Sequence, residues 1–297
     1  MRASLVASLL LGLTFVAAAQ ANDDGFTLTP VPPAAQSFRL GKLEITALHD
    51  AQITVPNDGK SFGEDARPGE VAQVLRAAAA PTDEVALSVN VLMVKTGGRI
   101  MLLDTGTGPQ WHGALLGSLK LTGVAPAAIT DILITHAHGD HVNGLLDANG
   151  RLAFPKATIR MSDEEWEWLK TKGSERLVTG ISAHVDSFRA GAIVAPGIRS
   201  IPIAGHTPGQ VGYEISSAGA RLRDIGDLAH SSILSLARPQ WLNGLDRDGE
   251  AARAIRMSML AQLADSHELV FVPHFPFPGV GYVVRDGTAF KWQPAVP

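Results

Sequence analysis

The chain of 297 residues is 45% hydrophobic and 18% charged, with a net charge of −4. Such a composition provides ample core for one large or two modest domains, and no charge excess that would point to nucleic acid or an anionic membrane as partner. Cysteine is absent, which excludes thiolate nucleophiles, cysteine metal ligands and iron–sulfur clusters.

The first residues read as an export signal. Met1-Arg2 supplies a positive start, Leu5 to Ala18 an apolar run short for a membrane span, and Ala19-Gln20-Ala21 a cleavage-type sequence. Residues 1–21 are therefore expected to be a signal peptide and the protein periplasmic or secreted. Asn22 to Ser37, rich in Pro, Asn, Asp and Gln, reads as a loose leader, and residues 38–297 as the working domain.

Phe38 to Asp50 alternates like a β-hairpin edge, with His49 read as an ordinary strand histidine. Pro68 opens a helix expected to reach about Ala79. Leu87–Val94 and Arg99–Asp104 read as strands around Gly97-Gly98. Trp111 and His112 follow in a loop that could line the mouth of a pocket.

After the apolar strand Ile132-Leu133-Ile134 comes Thr135-His136-Ala137-His138-Gly139-Asp140-His141. Three imidazoles and a carboxylate within six residues are the donor types of divalent zinc. His136 and His138 alternate along an extended backbone and can point to one side. Gly139 is expected to permit a sharp turn that returns Asp140 and His141 to the same cavity. Two ligands from each half of the motif suggest two adjacent metals.

Beyond the motif, Leu152–Met161 reads as a strand. Residues 163–170 read as an amphipathic helix capped by Ser162, its acidic residues on a solvated face. Ile198–Ile203 is a strand whose turn, Gly205-His206-Thr207-Pro208-Gly209, directs His206 toward the first cluster. Leu222–Ile225 precedes Gly226-Asp227, a carboxylate placed to bridge two metals, with His230 three residues on. Asp248–Ser266 is a helix, and Leu269–Pro273 a buried strand that delivers His274. His206, Asp227 and His274 each stand just past an apolar strand, where layered α/β folds build their sites.

These residues together resemble the metallo-β-lactamase-fold hydrolases, from about Phe38 to the C-terminus. The resemblance implies an α/β chain folded as an αβ/βα four-layer sandwich. It assigns His136, His138 and His206 to a first metal, Asp140, His141 and His274 to a second, and Asp227 as the bridge. Two divalent ions follow, zinc by default, with manganese, cobalt or iron fitting the same donors. A comparable Asp-Thr-Gly in the family supports the metal site from behind, which makes Asp104 either a partner of a ligand imidazole or an Asx turn after its strand.

Within the family the pattern leans away from β-lactamases. Those with a cysteine ligand are excluded by composition, and the others generally lack the bridging carboxylate. The diiron branch usually carries Glu where His138 stands, and appends a flavin domain for which there is no room. Glu44–Leu48, His206–Gly209 and His274–Gly279 look similar to segments of exported methyl parathion hydrolases. Acyl-homoserine lactonases share the metal pattern but place Tyr three residues after the bridging Asp, where this chain has His230; His230 is either a donor to the substrate carbonyl or structural.

The implied chemistry is hydrolysis by a metal-bridging hydroxide, with Asp140 as ligand and proton shuttle. Trp111, Trp241, Phe275 and Phe277 are expected to form an apolar wall. The expected partner is a small hydrophobic ester, lactone or phosphotriester, with a homodimer left open. The alternatives are a β-lactam hydrolase of the same fold and a non-catalytic metal-binding protein.

Overall fold

In a computed structural model the chain is described over residues 20–21 and 26–295. The expected signal segment therefore lies outside the described residues, apart from Gln20 and Ala21. No helix among the described residues is long and apolar enough to cross a membrane.

Among the described residues, fourteen strands form two seven-stranded sheets. The first sheet runs in chain order through β1 (Gln20–Ala21), β2 (Thr27–Leu40), β3 (Leu43–Pro56), β4 (Glu84–Thr96), β5 (Arg99–Leu103), β6 (Asp131–Leu133) and β7 (Thr158–Arg160). The second holds β8 (Ile193–Ala195), β9 (Ile198–Pro202), β10 (Val211–Ser217), β11 (Ala220–Asp224), β12 (Leu269–Phe271), β13 (Val280–Asp286) and β14 (Ala289–Pro294), again each beside its neighbour in sequence. Pairing is parallel at β5–β6, β6–β7 and β11–β12 and antiparallel elsewhere.

The near-continuous apolar runs of the central strands follow from burial on both faces. Because successive side chains alternate across a sheet, Leu92 and Val94 of β4 and Met101 and Leu103 of β5 pack toward Val211, Tyr213, Ile215 and Phe271 of the other sheet. Val91, Met93 and Leu102 face the opposite way, into a core closed by the helices Leu115–Leu121 and Asp163–Lys172. The helix Gly249–Ser266 covers the far face of the second sheet through Met259, Leu260 and Leu263. The layers are helix, sheet, sheet, helix: the expected four-layer sandwich.

Four expectations need correction. From Thr27 onward the leader is not loose: it is β2, paired along its length with β3. Its prolines lie at or within the break in register between Pro30 and Ala34, where a missing N–H costs no ladder bond. Leu152–Met161 forms a strand only over Thr158–Arg160, since Pro155 interrupts the segment. The helix after Pro68 spans Glu70–Ala77, and the hairpin expected over Phe38–Asp50 extends far beyond both ends.

Candidate metal centre

Four loops that follow β6, β9, β11 and β12 converge at one edge of the sandwich. His136, His138, His206 and Asp227 each present one donor atom to one group, and Asp140, His141 and His274 to a second beside it. In the first, His138 Nδ1 lies 3.1 Å from His136 Nε2 and 2.8 Å from His206 Nε2, and Asp227 Oδ2 lies 3.6 Å and 3.3 Å from those same two Nε2 atoms. In the second, Asp140 Oδ2 is 3.6 Å from His141 Nε2 and 3.4 Å from His274 Nε2. Asp227 joins the groups, with Oδ1 3.4 Å from His141 Nε2 and Oδ2 3.1 Å from His274 Nε2. Tetrahedral zinc, with bonds of about 2.0–2.2 Å, separates its donors by about 3.3 Å. The donor set fits such ions.

Gly139, expected to permit a sharp turn, begins the short helix Gly139–Val142 after an extended His138. A Cβ on Gly139 would come within 2.7 Å of Asn143 Nδ2. Gly209 is required for a similar reason: its Cβ would lie 2.2 Å from the backbone nitrogen of Glu165.

Three of the five candidate ligand imidazoles are held from behind by acceptors. His141 Nδ1 is 2.8 Å from Asp104 Oδ2, His206 Nδ1 is 3.1 Å from Asp246 Oδ1, and His274 Nδ1 is 2.8 Å from the Ser88 carbonyl. An acceptor at Nδ1 keeps the proton there and leaves the Nε2 lone pair facing the cluster. Asp104 thus sits as a partner of a ligand imidazole and also accepts from Thr135 N and Oγ1, both at 2.8 Å.

Electrostatics reflect crowding of charge in a dry site. Burial opposes charging of His141, but Asp227, Asp140 and Asp104 hold its pKa well above the usual histidine value. Against the same burial penalty, Asp227 and Asp246 push His206 up to about 9. Burial and the neighbouring His206 push His138 down to about 3. Burial also opposes ionisation of Asp227, yet His274, His141 and His136 keep its carboxyl well below the ordinary range.

Residues without an obvious sequence signal complete the centre. Glu165, expected on a solvated face, is fully buried. It accepts from Ala137 N at 2.7 Å, Thr207 Oγ1 at 2.8 Å and Gly209 N at 3.0 Å, tying the two histidine loops together. Asp50 braces the loop after β5, accepting from Thr107 N and Oγ1 and from Leu115 N. Ser162 does cap its helix, as expected, and its hydroxyl also donates to the Gly209 carbonyl.

The cluster floors a cavity of about 640 Å³. Leu28, Ile53, Val55 and Leu87, from the outer ends of β2, β3 and β4, form its apolar wall together with Trp111. The other aromatics expected there lie elsewhere. Phe275 is buried edge-on against Trp292, Trp241 packs in the core with Phe62 and Val71, and Phe277 lies tilted against His49. Adjacency to His274 in sequence did not place a side chain on its side of the turn. His230 lines the cavity, with Nε2 3.4 Å from Asp227 Oδ2 and neither ring nitrogen hydrogen-bonded.

Compared with known proteins, residues 85–274 match the Metallo-beta-lactamase superfamily. Metallo-beta-lactamase domain-containing protein 1 of Xenopus laevis is 36% identical over 121 residues, 40% of this chain and 43% of that protein. An atrochrysone carboxyl ACP thioesterase of Aspergillus terreus is 28% identical over 36% of this chain and 31% of its own length. The chain thus spans less than half the length of these two curated relatives. Among solved structures, the dizinc quorum-quenching lactonase AidC, in complex with an N-acyl-L-homoserine product, is 29% identical, with a TM-score of 0.83 over 89% of this chain and 98% of AidC. The hydrolase AbOPH of the beta lactamase superfamily is 28% identical, with a TM-score of 0.81 and the same coverage of both chains.

Proposed function

Because the chain belongs to the metallo-beta-lactamase superfamily, we propose that its cluster holds two divalent cations and hydrolyses a neutral, hydrophobic carboxylic ester or lactone. By family and by its likeness to AidC and AbOPH the chain is a metal-dependent hydrolase. The two-cation reading rests on one observation above all. His141 Nε2 and Asp227 Oδ1 are buried, lack any hydrogen-bond partner and face each other at 3.4 Å. Orphaned polar atoms in so dry a place are costly unless something binds them.

Two bound cations would acidify a water and polarise the scissile carbonyl. The chain's own groups do the rest. His136, His138 and His206 would hold one ion and Asp140, His141 and His274 the other, with Asp227 between them. Asp104 and Asp246 keep the ligand rings oriented. Asp140, like His138, is only half-buried, with 21% of its side chain accessible on the cavity floor. There it would take the proton from the attacking water and pass it to the leaving alkoxide. His230, in the tautomer whose N–H faces the cavity, would donate to the carbonyl oxygen.

The wall sets the substrate. Leu28, Ile53, Val55 and Leu87 favour an acyl chain over a charged group. Among the described residues lining the cavity, Lys60 is the sole lysine or arginine, and its 84% exposed side chain lies 3.6 Å from Asp58. That arrangement disfavours the carboxylate of a β-lactam. AidC acts on a lactone, and its likeness supports the same class here. An exported location, expected from residues 1–21, completes the proposal.

The test is a rate panel on chelated and zinc-reconstituted protein with a long-chain homoserine lactone, an aryl ester, methyl parathion and a β-lactam. Zinc-dependent turnover is expected to be fastest on the lactone or the ester. A faster phosphotriester or β-lactam would overturn the substrate class. No turnover on any substrate, with two metals bound, would replace hydrolysis by metal binding.

A further inference from the structure

Arg256 lies on the helix Gly249–Ser266, and its guanidinium is almost wholly inaccessible. Its donors all go to one loop. Nε donates to the Pro239 carbonyl at 3.0 Å, Nη2 to the Trp241 carbonyl at 2.8 Å and Nη1 to Asp246 Oδ2 at 3.0 Å. The rigid fork of arginine makes such multiple bonding selective for one loop conformation.

That loop is the roof of the cavity. Gly244 and Leu245 line it, and Leu242 and Gly244 are hydrogen-bonded to the facing loop at Gly63, Asp65 and Lys60. The loop also ends on the first metal position. The Asp246 side chain is inaccessible and turns its second oxygen to His206 Nδ1, while Arg247 N and Asp248 N donate to the carbonyls of His206 and Gly205. A displacement of the roof therefore cannot leave the His206 ring where it is.

We propose that Arg256 and Asp246 are positioning residues that couple the roof of the cavity to the first metal position, so that seating a substrate beneath Leu245 and retaining a metal on His206 reinforce each other. Such coupling is reciprocal: whatever tightens one end must tighten the other by the same factor. The inference rests on the two-cation reading above. It adds that metal loading and roof closure are one equilibrium, carried by a chain of hydrogen bonds rather than by packing alone.

Amide hydrogen exchange of residues 240–246, in chelated and zinc-loaded protein, tests it. Zinc is expected to slow exchange in the wild type by at least about tenfold. In Asp246→Ala the roof should exchange alike with and without zinc, and one of the two zinc ions should bind about 10–100-fold more weakly in chelator competition. Arg256→Lys keeps the charge but loses the fork, and should likewise free the roof. Zinc protection that persists in both variants, or is absent from the wild type, would overturn the coupling; the wild-type arm decides even if the variants fail to fold. A wild type that takes up no second zinc would instead sink the two-cation reading, and the coupling with it.

Discussion

The carboxylate of Glu165 accepts a 2.7 Å hydrogen bond from the backbone N–H of Ala137, the residue between His136 and His138. Its other oxygen takes Thr207 Oγ1 and Gly209 N from the loop that carries His206. One buried side chain thereby sets the spacing of ligands drawn from both sheets. Burial raises its pKa, against the three donors that favour the charged form. Glu165→Ala leaves those donors unsatisfied, and even Glu165→Gln must turn its NH2 group toward at least one of them. Both variants are expected to lower affinity for one of two zinc ions by about 10–100-fold, with Ala the worse. Equal zinc stoichiometry and affinity in variant and wild type would refute this.

Asp104 offers a cleaner test of ligand orientation. It sits at φ +64°, a left-handed backbone that Asn tolerates well. Asp104→Asn should keep the loop while removing the charge behind His141. Zinc at the second position is expected to weaken by about 10–100-fold and kcat to fall with it. Circular dichroism should be unchanged; a loss of secondary structure would show that Asp104 serves the fold rather than the metal.

The metal-free protein should be most stable near pH 6.5. His206 is held at about 9, so its contribution is full below the unfolded value near 6.5 and is lost as pH rises through 9. His138 is depressed to about 3, so its contribution is full above 6.5 and is lost as pH falls toward 3. Chelated protein should show this peak in its melting temperature. On the proposed coordination zinc would displace the His206 proton, so apparent zinc affinity should rise by up to about tenfold per pH unit until pH 9. A flat profile in both measurements would contradict the charge states assigned to the cluster.

The apolar wall predicts a chain-length series. Each methylene buried against Leu28, Ile53 and Leu87 is expected to contribute ~0.8 kcal/mol, roughly fourfold in kcat/KM, until the cavity is filled. Ile53→Ser should blunt the gain for long acyl esters and leave short ones nearly unchanged. If acetyl and octanoyl esters react equally in the wild type, the acyl group lies elsewhere.

Much of this was legible in the chain itself. His136 through His141 lie close in sequence, and their donor types name a metal before any fold is known. His206, Asp227 and His274 could be found because each follows an apolar strand, and strand ends on one edge of a layered fold must meet. The fold class came with the family resemblance that these residues carry, and strands interspersed with helices agree with it.

What the tertiary structure decided was which distant groups stand behind the ligands. Glu165 reaches Ala137 across 28 residues and Asp246 reaches His206 across 40. Neither contact has a period or a spacing to betray it, and Glu165 in a first helical turn looks like any capping carboxylate. The cavity wall was misplaced for the same reason: aromatic neighbours of His274 were nearer in sequence than Leu28 or Ile53, but the turn sends Phe275 into the core. Donor chemistry is local and so was readable from the sequence. Orientation, burial and the choice of hydrogen-bond partners depend on how separate loops are brought together, and packing alone settled those.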